Sequence, residues 1–476
     1  MTAKNHQIAL SEVFPECQDM FIERPASFFQ LLDEHIDIDE FIPSRFYAAF
    51  YQMLGRKRDY LLTGFLSALI LQKIFSIPTD SLLIIFLNIC KELRDFCGLK
   101  KVPDAPLFTR FKQNFLPYIE EMFINMVDYT EPICQAIDTA LANMLTLDTS
   151  GIELYVAENN PKTLNSLIKS LKTRYKNNPD IDPHKMAYGL MPSQAACCPD
   201  AKQQYINGHF CYADKFAMLT NGLGIVRHIT FLDDAFKEDH PEMLVEKKSD
   251  SPDEDKSIGD SSALKPILTD FFAAHPDFHP DTFLGDSAFD TYDIYGMLKN
   301  EFHFSKALIP YNPRNASSLL KVGYNPYGYP TCPNNKDLDM KYDGPCCETG
   351  RADRIKWKCP KVHMVNGEWV NDCVEPCSTA KKGRSTYTNE NMDFRDFPGI
   401  QRNSEEWFSS YKIRAAIERS INHFKINMCV AGRKTRSHLT TKADVYIAGI
   451  ASLFTVVVAH RLSCPQHIRS LKPLIA

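Results

Sequence analysis

Between residue 25 and about residue 140, apolar positions recur every three to four residues, with polar positions between them. That period predicts helices over Pro25–His35, Ser44–Leu54, Asp59–Phe75, Thr79–Phe96 and Leu107–Val127. Asp59 and Thr79 are suited to cap two of them, and Gly98 to stop one. From Asn143 the period shortens. Met144–Asp148 is an apolar run ending in an acid, and Ile152–Val156 continues it. Phe210–Thr220 and Leu223–Phe231 flank Asn221-Gly222, which predicts a tight hairpin. Thr282–Asp286 is a second apolar run ending in an acid, and Lys306–Pro310 is a further strand. Helices are predicted over Thr163–Lys176, Ser262–Ala274, Tyr292–Glu301, Trp407–Lys425 and Ala443–Arg461, and the acidic, Ser-rich Asp233–Ser262 reads as a surface loop.

Short strands, one hairpin and crossover helices predict an α/β domain with a mixed sheet. The expected organisation is an all-helical N-terminal domain (1–140), a core in two parts (141–310 and 401–476), and a Cys-, Pro- and Gly-rich insert (311–400) that interrupts the core. The turn between Cys97 and Leu107, followed by Thr109, Arg110 and Lys112, fits a helix-turn-helix that contacts DNA. A plain helical bundle fits it equally.

Composition changes this picture in three places. The net charge of −5 hides an asymmetry: residues 351–476 carry 21 Lys+Arg against 11 Asp+Glu, so a polyanion is expected at that end. The uncharged run Val445–Ala459 is too short to span a bilayer comfortably, so no membrane is expected. No secretory pattern stands near Met1, so a cytoplasmic location and reduced thiols are expected, although the chain has 15 cysteines.

The densest chemistry lies between Tyr411 and Lys425. At about 100° per residue, Tyr411, Arg414, Glu418 and Lys425 fall in one sector of a helix. Ile413, Ala416, Ile417, Ile421 and Phe424 form the apolar face beside it. Alone, Arg414 and Glu418 are an ordinary surface i,i+4 pair. Two acids at strand ends, Asp148 and Asp286, change that. Two aspartates and a glutamate offer the oxygen ligands that hard divalent cations take, and two such ions can drive phosphodiester chemistry.

These residues resemble the DDE transposases of bacterial insertion sequences, which have an RNase H-like catalytic core. Tyr411, Arg414, Glu418 and Lys425 match that group's Y-R-E-K signature. Leu147–Glu153 is similar to the segment carrying its first aspartate, Gly285–Asp290 to the second, and Val102–Phe111 to part of its DNA-binding N-terminal domain. The resemblance implies metal-dependent cleavage and strand transfer at the ends of a mobile element. Asp148, Asp286 and Glu418 would hold two Mg²⁺ or Mn²⁺ ions. Double-stranded DNA, both element ends and target, would be the partner, with a homodimer in the complex and association with the nucleoid. Tyr411, Arg414 and Lys425 would meet the DNA.

Other residues stay open to two readings. Arg433, Lys434 and Arg436 form a basic loop suited to phosphate or to solvent, and Arg110 is a further DNA candidate. Asp214, Asp290 and Asp293 compete with Asp286; Asp290 reads as a solvent-facing loop residue and Asp214 as a strand-surface pair with Lys215. Cys332, Cys346, Cys359, Cys373 and Cys377 are candidates for structural zinc, though only Cys373 and Cys377 have the usual close spacing. Unligated thiols are the alternative. By analogy with the insert of similar transposases, Trp357 or Trp369 would stack on a base; packing inside the insert is the other reading, and His363 reads as a loop residue. The competing functions are a catalytically inactive transposase-derived DNA-binding protein and another RNase H-like nuclease.

Overall fold

The computed structural model describes residues 27–52, 58–178, 180–206, 209–243, 258–312, 322–347 and 354–474. Pro25, Met53, Leu54 and the centre of the acidic segment lie outside them.

Helices fill the N-terminal part: Ser27–His35, Ser44–Phe50, Leu62–Ile74, Asp80–Ile89, Lys91–Phe96, Ala105–Asn114 and Leu116–Ile137. Thr79 caps its helix, its hydroxyl accepting the Leu82 N–H. Asp59 is not the cap of its helix, which starts after Leu61. Gly98 ends a helix at φ 62°, a conformation glycine adopts without strain. Two predicted helices are broken. Leu87 and Leu93 are both buried, yet on one continuous helix they would point about 120° apart; the extended residue Cys90 re-aims the second segment. The other break falls at Phe115, and Pro117 then sits in the first turn of the next helix, where its missing N–H costs nothing.

The predicted mixed sheet is present. Its strands are β1 (Met144–Glu153), β2 (Gln194–Ala195), β3 (Cys198–Ile206), β4 (His209–Asn221), β5 (Val226–Phe231), β6 (Thr282–Leu284) and β7 (Lys306–Leu308). The order is β2-β3-β4-β1-β6-β7, with β5 on β4 beyond β3. β1 is antiparallel to β4 and parallel to β6, and β6 is parallel to β7. The hairpin lies where expected but has a wider loop. Asn221 Oδ1 accepts the Ile225 N–H (3.0 Å), and the positive φ falls at Gly224 rather than Gly222.

Helix Asp260–Ala274 covers one face of the sheet and helix His438–Arg461 the other. Their sides follow from strand alternation: His228, paired with Leu219, meets Phe271, whereas Phe231, paired with Phe216, meets Tyr446. His438–Arg461 is apolar and long enough to cross a membrane by composition, but 89% of its apolar window is buried inside the protein. It packs on both the sheet and the N-terminal helices, so the two parts share one core.

The insert is built from three small sheets: β8 (Gly323–Tyr324), β9 (Pro330–Cys332) and β10 (Asn335–Asp339); β11 (Lys341–Cys346), β12 (Arg354–Lys358) and β15 (Ser385–Thr388); and the hairpin β13 (Val362–Val365) with β14 (Glu368–Asn371). Helix Glu390–Asp396 leads back to the core.

Candidate active site

The register of two parallel strands sets the site. Thr146 pairs with Leu284, the last residue of β6. Asp148 lies two residues further on in β1, and Asp286 two residues past the end of β6. Asp286 therefore follows its strand rather than ending it, and it caps the turn Ser287–Phe289, accepting the Ala288 N–H at 2.8 Å. Asp148 does not end its strand. β1 runs through it to Glu153, because β4 continues to pair there after β6 has stopped.

The third acid arrives on a helical run packed beside these strands. Its turns are not regular: α-helix Glu405–Tyr411, a 3-10 turn Lys412–Arg414, α-helix Ala415–Asn422 and a π turn His423–Asn427. Ala416, Ile417, Ile421 and Phe424 are buried as predicted, and Ile413 partly so. The Ser420 hydroxyl donates to the Gly224 carbonyl (2.7 Å), pinning the run to the β4–β5 loop. Tyr411 stacks on Trp407 with ring centres 5.0 Å apart.

Glu418 projects outward and accepts from Arg414 at 2.7 Å; its side chain is 57% exposed and that of Arg414 16%. Burial pushes the Asp148 carboxyl up to about 6. Arg414 and the Thr149 N–H oppose that rise, while Asp260 and Glu418 add to it. The Tyr411 phenol is raised by burial, opposed by Arg414, and raised further by Asp286 and Glu418. Each of the three acids therefore acts on a neighbour in this cluster. Among the described residues, however, the three do not bring an oxygen each within 4.8 Å of one another; the group that meets that spacing is Glu153, His209 and Cys211, on a different part of the sheet.

Lys425, on the π turn, donates to Ser150 Oγ at 3.1 Å, two residues along β1 from Asp148. Burial lowers its pKa. Asp260 is a fourth acid at the site that the sequence reading passed over as the end of an acidic loop. It accepts from Thr149 Oγ1 (2.9 Å) and pairs with Lys215 (2.9 Å). Its position in the first turn of a helix gave only an ordinary capping signal.

The remaining candidates separate sharply. Arg433 is no free phosphate contact: its guanidinium pairs with Asp80 (2.5 Å) and Asp444 (3.0 Å) inside the protein. Lys112 joins the same cluster through Asp80 and Asp444, each at 2.9 Å, and Lys73 through Asp444 at 3.3 Å. Helix Ala105–Asn114 thus buries Lys112 against the core helix rather than offering it to DNA, and Arg110 is its exposed cation. Lys434 is exposed, and Arg436 lies over the Tyr155 ring. Asp290 is buried rather than solvent-facing, held by both arms of Arg395 at 2.9 and 2.8 Å. Asp214 is also buried, 3.0 Å from His438, which in turn meets Asp233. Asp233 is buried too, so the acidic segment starts inside the fold. Asp293 sits in the first turn of helix Tyr292–Asn300. Trp357 packs in the insert, donating to Thr388 Oγ1 (2.7 Å), while Trp369 stays partly exposed with Lys382 over its ring. His363 lies on β13, opposite Val370.

Residues 16–114 match the family model described as Transposase domain (DUF772). The match covers the helical N-terminal part and supports a transposase, an enzyme that acts on DNA. No curated protein matches the chain.

Proposed function

We propose that the protein is a DDE transposase with an RNase H-like core, cutting and rejoining the DNA ends of an insertion sequence. The observation that carries this reading is the placement of Asp148 on β1 and of Asp286 just past the end of its parallel neighbour β6, each two residues beyond the Thr146–Leu284 pair, with Glu418 on the helical run packed beside them. A mixed sheet with acids past its parallel part is what such a core calls for.

The donor set suits divalent metal. It consists of hard carboxylate oxygens, and Asp148 is driven towards its protonated form by burial and by other acids, a strain that a cation relieves. Asp148, Asp286 and Glu418 would hold Mg²⁺ or Mn²⁺, which when bound supplies an activated attacking oxygen and stabilises the leaving one. Arg414 now occupies Glu418. Release of that guanidinium frees a planar fork for a DNA phosphate, and Lys425 offers a point charge beside it. Tyr411, locked by Trp407, fixes the approach of the strand. Arg110, Lys434 and Arg436 extend the basic surface, and a homodimer would hold two element ends.

All three acids are present, which favours an active enzyme over an inactive DNA-binding derivative. The test is incubation of the full chain with Mg²⁺ and DNA from the flanks of its own gene. Cleavage at inverted ends and joining to a target are expected, and Glu418→Gln should reduce both to background while leaving DNA binding intact. Cleavage without joining would point to another RNase H-like nuclease. Binding without cleavage would point to an inactive derivative.

A further inference from the structure

The insert lacks what usually holds a small domain together. Between residues 322 and 388, its buried apolar side chains are Pro330, Cys332, Met340, Cys359 and Val362 among the described residues. β13 and β14 expose almost every residue. Sheets of two or three strands are not stable in water without a hydrophobic face or another staple.

The cysteines stand where the three small sheets meet. Cys332 ends β9, Cys359 follows β12, and Cys373 lies two residues past β14. Cys332 and Cys359 both lie close enough to the Cys377 thiol to act on it. The backbone ties the same places together. Asn334, in the turn after Cys332, donates to the Glu375 carbonyl at 3.2 Å. The Cys359 N–H donates to the Arg384 carbonyl at 2.9 Å. Gly383 passes so close that a Cβ there would lie 3.1 Å from that of Cys359. Cys346 stands elsewhere. It faces Arg354 across the β11–β12 pair, whereas Cys359 follows the opposite end of β12. At about 3.3 Å per residue, the two are roughly 16 Å apart.

We infer that Cys332, Cys359, Cys373 and Cys377 form a structural zinc site that clamps the three sheets of the insert, and that Cys346 and Cys347 take no part. Four thiolates satisfy tetrahedral zinc, and a closed set of four leaves no position for catalysis. Among the described residues no three of these sulfurs lie within 4.8 Å of one another. Binding therefore draws the sulfurs together, for which each cysteine has its other staggered rotamers. Binding would supply the stability that the insert's core does not.

This inference is independent of the proposed DNA chemistry, and its test reads metal rather than activity. The full chain, purified without chelator, should contain about one zinc, released when its thiols are titrated. Cobalt substitution should give the absorption of a tetrahedral tetrathiolate. Cys332→Ser and Cys377→Ser should lose the metal, while Cys346→Ser and Cys347→Ser keep both the metal and an unchanged cobalt spectrum. Because a ligand variant can fail by unfolding, the cobalt spectrum of the unmutated chain stands as a second readout. A chain free of zinc, a spectrum with fewer than four sulfur ligands, two disulfides in place of metal, or loss of metal from Cys346→Ser would each overturn it.

Discussion

His438 opens the long core helix and lies between two buried carboxylates, Asp214 at 3.0 Å and Asp233 at 2.8 Å. A helix N-terminus disfavours a cation, and burial disfavours it further. Ion pairing with Asp214 and the hydrogen bond with Asp233 nevertheless win, raising the imidazole to about 9; Lys442, which also pairs with Asp233, opposes the rise. Against an unfolded value of about 6.5, that rise is worth about 3 kcal/mol. The folded form holds the proton more tightly, so the stabilisation is fully present below pH 6.5 and is lost as pH rises through 9. Asp233 titrates far below this window. Its burial would raise it, but hydrogen bonds from His438 and Lys442 hold it well below the usual carboxylate range. Urea unfolding of the protein and of His438→Gln, followed from pH 6 to 9.5, measures the effect. The gap between the two midpoints should shrink steadily across the interval. Parallel curves would show that the imidazole is not held charged, and the reasoning would fail.

Two further predictions concern the site and its support. Asp148 is raised to about 6, so its contribution to stability is present below about pH 4 and lost as pH rises through 6; Asp148→Asn should stabilise the protein by about 1–3 kcal/mol at pH 8, not at pH 4, while abolishing cleavage, and thermal melting at both values checks this. Arg395→Ala strands the buried Asp290 carboxylate and should cost about 3–5 kcal/mol, read by urea denaturation, and Arg395→Lys should recover part of it.

Much of the fold was legible because it is written locally. The Thr79 cap, the Gly98 stop, the hairpin and the apolar face from Ala416 to Phe424 each depend on residues within one turn or strand. The break at Phe115 was missed, since a proline in the apolar pattern does not by itself mark one: Pro132 stands inside the same helix. Long-range pairing was not legible either. Arg433 and Asp80 are 353 residues apart in the chain, and no local pattern tells a basic loop residue that its partner is buried. One signal was available: Asp444 stands directly before the apolar run of the last helix, and a lone buried acid requires cations nearby. Asp148 was read as a strand end because its apolar run stops there, but the strand is prolonged by its antiparallel neighbour. Asp290 looked like a loop acid for the same reason: Arg395 lies on the far side of the insert.

That last pair decides how the insert can be inherited or engineered. Asp290 stands four residues after Asp286, while Arg395 lies on the helix that leaves the insert, where Arg402 also bonds to the Ile309 carbonyl at 2.7 Å. The graft and the stock have grown through each other. Excising residues 311–400 would remove the counter-charge from the segment that carries Asp286, so the sheet could not be cut out with its candidate site intact. Conversely, a pull on the insert is transmitted through Arg395 and Asp290 to the turn that Asp286 caps.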